Sequence, residues 1–257
     1  LFLIFAKVNP LAALFTLLFP GRVLPAAPPS FSAGAASVAI TPDPAAINWV
    51  TNRPYDGVID RIHARILVLA SDEMRIALLT LDMTDASESD VAGLRQGISA
   101  AIGIPPSHIL VNASHSHSAP IAPGYTRKKI SDPHLERWAR QLPELCAEAA
   151  RKADSTRRPV SLSIGRAHVG EWVFNRRPVR PDGTVKTTFT PANRNILPEG
   201  LRFGPIDPTA TVLCFRDAGG GAVATLLHVA CHAVSVYGAH KGVSADWPGA
   251  ACQALQE

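Results

Sequence analysis

Two pairs of histidines carry spacings from which a metal site can be built. His115-Ser116-His117 follows directly on an apolar, β-branched run, His108 to Ser114, and leads into Ser118-Ala119-Pro120. Side chains two apart on an extended chain point to one side, and neutral imidazole is the commonest protein ligand for zinc. His228 and His232 flank Val229-Ala230-Cys231 at the end of another apolar run. Their spacing of four puts both on one face if the strand is regular, and a buried imidazole nitrogen needs a partner. Each pair also has a plain structural reading. The first would be surface polar residues among hydroxyls; the second, one satisfied core histidine and one facing solvent. His63, His108, His134, His168 and His240 stand in ordinary strand, loop or helix contexts and read as structural.

Other chemistry is narrowed by what does not occur. The chain has no HExxH and no GxSxG elbow, which disfavours an α/β-hydrolase. It has no GxGxxG and no GxxxxGK[ST], so dinucleotide and nucleoside-triphosphate chemistry are not leading readings. Gly219-Gly220-Gly221 reads as a hairpin turn. The formal net charge is +4 and the pI about 9.0, with the densest basic cluster at Arg176, Arg177, Arg180 and Lys186. No RNP-like aromatic run, zinc-finger spacing or recognition-helix pattern accompanies it, so a solvated or anion-facing loop is expected and no nucleic-acid partner. Cys146, Cys214, Cys231 and Cys252 show no CxxC and sit among apolar neighbours, as buried structural thiols do. Spacing names no disulfide among them.

The elements that must position these residues follow from periodicity. At about 150 residues per domain, 257 residues make one large domain or two small ones. Hydrophobic residues at 47% and charged residues at 18% exclude a disordered tail. Ser37 to Pro42 reads as a strand, and Arg61 to Ser71 with Arg75 to Met83 as a hairpin. A helix capped by Ser87 or Ser89 places Val91, Leu94, Ile98 and Ile102 on one face and ends at Gly103. His108 to Ser114 is a short buried strand. A second helix starts at Asp132 and Pro133, with Pro143 expected to kink or restart it. Pro159 to Gly170 is a strand, and Phe174 to Ile206 a long irregular stretch of the kind that is usually functional. Asp207 to Asp217 and Gly221 to His232 form a second hairpin, and a last helix opens with Asp246 and Pro248. Strands and helices mix without strict alternation, so the expected architecture is α/β, with layered mixed β-sheets flanked by α-helices.

The first 32 residues read differently. Leu11 to Phe19 is an apolar run preceded by Lys7 and followed by small residues and prolines, the layout of a secretory signal. Asn9, Pro10 and Pro20 interrupt it, against the roughly 20 apolar residues that a membrane span needs. Residues 20–33 are Pro/Ala/Ser-rich and read as a linker. The expected division is therefore 1–32 as signal-like segment and linker, with 33–257 as the folded domain. The expected location is secreted or periplasmic, with a peripheral membrane contact. With Leu1 in place of Met, the chain is expected either to be incomplete at its start or to be extended upstream of the true one.

Four segments, taken in order, resemble the N-terminal catalytic domain of the neutral/alkaline, non-lysosomal ceramidases. They are AGAASVAITP; ILVNASHSHSAP, similar to the family's strand and His-Thr-His-Ser-Gly-Pro-like turn; Asn175-Arg176 in VFNRRP; and LLHVACHAVSVYG with SADWPGAACQALQE. The resemblance covers roughly Ala33 to Glu257. It implies zinc-dependent hydrolysis of an N-acyl, sphingolipid-like amide. In the family, zinc is held by the first histidine of the HxH, by the histidine of the later motif, and by a Glu and a Tyr much further on. Carried over, His115 and His232 are metal ligands, His117 lies beside metal and substrate, and Arg176 belongs to the substrate site. Asp246 matches an acid near the second motif and is expected to act structurally or behind the ligands. His228 stands where the family has Asn and inherits no role.

The chain departs from the family at Ala119, where Gly is usual, and at Ala233, where Pro is common. The family's later Glu, Tyr and serine-bearing turn would fall after Glu257. The resemblance thus implies an incomplete catalytic domain, with weak zinc binding and no turnover by residues 1–257 alone. Other expectations stand beside it: a different amide or ester hydrolase on the same scaffold, since fold does not fix substrate, or a non-catalytic exported binding domain whose histidines are remnants.

Overall fold

The computed structural model describes residues 31–72, 74–122, 131–186 and 197–256, and the backbone of 5–6 and 22–23. In chain order the strands are β1 (Phe5–Ala6), β2 (Arg22–Val23), β3 (Ser32–Ala39), β4 (Ile47–Asn48), β5 (Arg53–Pro54), β6 (His63–Ser71), β7 (Met74–Leu81), β8 (Ile109–Ala113), β9 (Arg158–Pro159), β10 (Ser161–His168), β11 (Thr209–Arg216) and β12 (Ala222–Val229). The helices are α1 (Glu88–Ile102), α2 (Pro133–Ser155) and α3 (Asp246–Ala254). The apolar run Leu11 to Phe19 lies outside the described residues.

Three layers result. A mixed sheet of order β8-β7-β6-β3-β9 lies between the helices and an antiparallel sheet of order β1-β12-β11-β10-β2. β4 and β5 form a small separate hairpin. The middle sheet is buried on both faces because β6 is apolar at nearly every position, and successive side chains alternate between faces. Ala64, Ile66 and Val68 pack with Leu94 and Ile98 of α1 and with Trp138, Leu142 and Cys146 of α2. Leu67 turns the other way, to Phe215, Val223 and Leu226 of the antiparallel sheet. This is the expected α/β layering, with one sheet mixed and the other antiparallel.

Both expected hairpins form. Ser71 pairs with Met74 across the first. The second closes on Asp217, whose carboxylate accepts the Gly219 and Gly221 amides while Gly220 takes φ +80°. α1 starts at Ser87 in a reciprocal capping box with Asp90 and ends at Gly103, whose φ of +65° suits glycine. Two expectations are corrected. The strand placed at Ser37 to Pro42 runs instead from Ser32 to Ala39, because small residues hid its alternation. Pro143 neither breaks nor restarts α2, which continues through it for 23 residues. The buried face of α2 outweighs the one lost backbone bond, and Gly97 of α1 leaves room for the Pro143 carbonyl, which a Cβ there would meet at 3.3 Å.

Two further features bear on the sequence reading. All four cysteines are free, with Cys146 and Cys252 buried. Among the described residues, no helix is long and apolar enough to cross a membrane.

β3 and α2 meet at Gly34, where an added Cβ would lie 2.0 Å from the Ala153 carbonyl oxygen and 2.9 Å from the Arg157 amide nitrogen. Both are backbone atoms and cannot swing away. Gly34→Ala is therefore expected to destabilise the fold by about 1–3 kcal/mol or more, read as a lower midpoint in urea unfolding.

Candidate metal centre

β8 runs parallel to β7, and their carboxyl ends lie side by side. Crevices outside the carboxyl ends of parallel strands are the recurrent ligand sites of open α/β sheets. The pairing continues beyond β8: the Ser114 amide donates to the Leu81 carbonyl and the His115 amide to that of Met83, at 2.9 and 3.0 Å. His115 then adopts φ +60°, a left-handed conformation uncommon for a side chain with a Cβ. The chain turns there, so the pair His115/His117 converges through a turn rather than through strand alternation. Thr84, itself buried, clamps the turn by donating its hydroxyl to the Ser116 and Ala119 carbonyls.

The third imidazole comes from the other sheet. β12 ends at Val229, and His232 lies in the irregular segment after it. The His117 amide donates to the Ala233 carbonyl at 3.1 Å, joining the two turns directly. The Asp246 carboxylate accepts the amides of Ser235 at 3.1 Å, Val236 at 2.8 Å and Trp247 at 2.7 Å. Asp246 is buried at φ +59°, with Ala245 in the cap position and no side-chain cap. Besides opening α3, it turns back to hold the segment beside His232, the structural part expected of it behind the ligands.

The Nε2 atoms of His115, His117 and His232 converge. His117 Nε2 is 3.4 Å from that of His115 and 3.0 Å from that of His232. One ligand nitrogen from each of the three falls within 4.8 Å of the others. Two nitrogens bound tetrahedrally to one zinc at 2.0–2.1 Å stand about 3.3 Å apart. The His115 Nδ1 lies 2.7 Å from the Thr84 carbonyl oxygen, which can only accept. That nitrogen therefore carries the proton and Nε2 presents its lone pair, the arrangement by which a backbone carbonyl orients a histidine ligand. The Asp85 carboxylate lies 3.4 Å from the same Nδ1.

Burial holds His117 and His232 neutral. It lowers both pKa values to about 4, helped by the neighbouring imidazoles and the Arg176 charge and partly offset by Asp246. The donor set thus fits a zinc ion: three converging imidazole nitrogens, two on rings that burial keeps neutral and one on a ring whose orientation a backbone carbonyl fixes.

The structure also places the other sequence candidates. Arg176 is exposed on the loop after β10, and its charge reaches His117 and His232. His228 stays in β12, paired across from Thr211, and does not join the cluster, because the strand ends before His232. His134 pairs with Asp43 and His108 with the Arg75 carbonyl. Sequence reasoning missed Trp49 and Tyr237, whose rings flank His117 at centroid distances of 5.2 Å each. Trp49 sits in the small β4–β5 hairpin, which carries no periodic signal. Tyr237 is five residues after His232, and that proximity was the one available cue.

Comparison with known proteins agrees with the architecture. By sequence, no family model matches the chain and no characterised protein does. By structure, it is similar to neutral ceramidase from Pseudomonas aeruginosa, with a TM-score of 0.55 at 18% identity over 76% of this chain and 31% of that one. The chain has a ceramidase-like fold. It spans about a third of the length of that ceramidase chain. A ceramidase complexed with C2 is also matched, with a TM-score of 0.48, 16% identity and 76% and 30% coverage.

The low pKa values of His117 and His232 set a pH dependence. Between about pH 6.5 and 4 the unfolded chain binds protons that the folded, metal-free chain does not. Stability of the chelator-treated protein is expected to fall as pH drops through that window. Urea unfolding at stepped pH checks this, and His117→Gln with His232→Gln should flatten the slope.

Proposed function

We propose that this segment carries the histidine part of a zinc centre in a hydrolase of N-acyl, sphingolipid-like amides. The observation that carries the reading is the convergence of the His115, His117 and His232 Nε2 atoms at separations of 3.0 and 3.4 Å. The ceramidase-like fold supports the substrate class.

His115 and His232 would hold the ion, with His117 in reach beside them. Bound there, zinc supplies a water acidic enough to ionise near neutral pH and a Lewis acid for an acyl carbonyl. The protein's own residues do the rest. Thr84 keeps the His115 proton on Nδ1, away from the cluster. Asp246 holds the turn that presents His232. His117 is neutral at physiological pH and can accept or return a proton at Nε2. The exposed Arg176 guanidinium would steady the oxyanion that develops when the amide carbon becomes tetrahedral. Trp49 and Tyr237 wall His117 with apolar surface, which restricts water and suits an acyl or alkyl portion of the substrate. Export belongs to the same reading, from the Lys7 and Leu11–Phe19 layout, as does a peripheral membrane contact, because a lipid amide is delivered from a bilayer.

Zinc titration of the chelator-treated chain by calorimetry tests the centre. One ion per chain is expected, and His115→Ala or His232→Ala should weaken it at least about tenfold. A chain that takes up no zinc, or variants that bind as the wild type does, would overturn the reading. Substrate is tested on the protein in its full reading frame, against ceramide, short N-acyl amides and esters. Turnover confined to the short amides or esters would assign a different hydrolase on this scaffold. Hydrolysis unchanged in His115→Ala would remove the histidines from catalysis.

A further inference from the structure

The cluster depends on a set of contacts that none of its histidines makes. The two turns that carry them both rest on one short segment, residues 243–246. Ser244 is wholly buried. Its amide donates to the Ser118 carbonyl at 3.0 Å, and its carbonyl accepts the Ser116 hydroxyl at 2.8 Å. Those two bonds grip the His115/His117 turn on either side of His117. On the other side, the Ser244 hydroxyl accepts the Asp246 amide at 2.9 Å, and the Asp246 carboxylate holds the segment beside His232 through the Ser235 and Val236 amides.

Asp60 fixes this segment from outside. It lies just before β6, on a stretch that pairs with residue 243 through the Ile59 amide and the Val243 carbonyl, at 2.9 Å. One Asp60 carboxylate oxygen accepts the Ser244 hydroxyl and the other accepts the Ala245 amide at 2.8 Å. A carboxylate only accepts, so the hydroxyl proton must point at Asp60. The Ser244 oxygen then has its lone pairs directed at the Asp246 amide, and the direction of the whole chain of bonds is set. α3 packs closely here: a Cβ on Gly249 would sit 2.4 Å from the Ala245 Cβ and 3.5 Å from the Asp60 Oδ1. The bonds at Ser116 and Ser244 are sealed from solvent, so water cannot replace them at no cost.

We propose that Asp60, acting through Ser244, is a positioning residue that sets the His115/His117 turn against the His232 turn. It touches neither metal nor substrate. The proposal rests on the zinc reading for its consequence, while the positioning itself is a property of the metal-free protein, which lets the two be tested apart.

The experiment uses Asp60→Asn, Ser244→Ala and the conservative Ser244→Thr. Folding is checked by circular dichroism and urea midpoint. In metal-free protein, imidazole nitrogen chemical shifts of His117 and His232 report their mutual contact. Asp60→Asn and Ser244→Ala are expected to move both sets of shifts, and Ser244→Thr to restore them toward the wild type. With cobalt(II) as a spectroscopic probe of zinc geometry, the first two variants should lose intensity in the tetrahedral visible bands and bind zinc about 10–100-fold more weakly. Ser244→Thr should recover most of both. Folded variants with wild-type imidazole shifts would overturn the positioning role. If the shifts move but the wild type takes up no metal, the positioning role stands and the zinc reading falls. If Asp60→Asn fails to fold, Ser244→Ala, which keeps the Asp60 bond to Ala245, decides by the same shifts.

Discussion

The two loops that build the candidate centre meet directly at one junction, the hydrogen bond from the His117 amide to the Ala233 carbonyl. His117 belongs to the loop leaving the mixed sheet and Ala233 to the loop leaving the antiparallel sheet. The core between those sheets, around Leu67, Phe215 and Leu226, sets their separation but is non-directional. Apolar packing can bring two loops into the same neighbourhood; it cannot hold two imidazole nitrogens 3.0 Å apart. That requires directional bonds between the loops themselves. Here they are made mostly by backbone atoms and short hydroxyl side chains, which have few rotamers to freeze.

The price of that precision is local. His115 and Asp246 both adopt left-handed backbone conformations near φ +60°, and residues held in this way persist only where their surroundings over-determine them. The surroundings do so. His115 is bonded through its amide to Met83 and through Nδ1 to Thr84. Asp246 is bonded through its amide to Ser244 and through its carboxylate to three further amides. The buried Arg65–Asp82 pair works in the same region, with Asp82 also accepting the His63 amide and so pinning the end of β7 to the start of β6. The strand ends that launch the His115/His117 turn are tied together by directional bonds before the turn begins.

How much of this was legible in the sequence depended on whether the information was local. Ser87 and Gly103 bracket α1 because capping is a property of adjacent residues. The hairpins were readable from apolar runs around polar turns. β3 was misplaced because alanines and Gly34 carry little hydrophobic contrast, and its register is set by close approach to α2. The HxH pair and His232 could be named from their types and from a family resemblance. Their meeting could not be read from spacing, since it is made 115 residues apart by loops from different sheets. Asp60 is farther still, 184 residues from Ser244, and looks like any aspartate in a turn. Asp246 could be named as a helix start and, from the family resemblance, as a structural group behind the ligands, but not the amides it holds, because they lie 10 and 11 residues before it.

The electrostatics of the site follow from the same crowding. Burial keeps His117 and His232 neutral, and the neighbouring imidazoles and a nearby guanidinium push the same way. A dication placed among them would meet the same positive field from Arg176. Two carboxylates answer it: Asp85 beside the His115 ring and Asp246 behind His232, the latter already opposing the lowered pKa of both histidines. Neither carboxylate points into the cluster as a member of it. Both act through a residue that does, by fixing a ring or a turn while supplying negative charge at a distance. The arrangement separates the groups that would grip a cation from the groups that would make its presence tolerable.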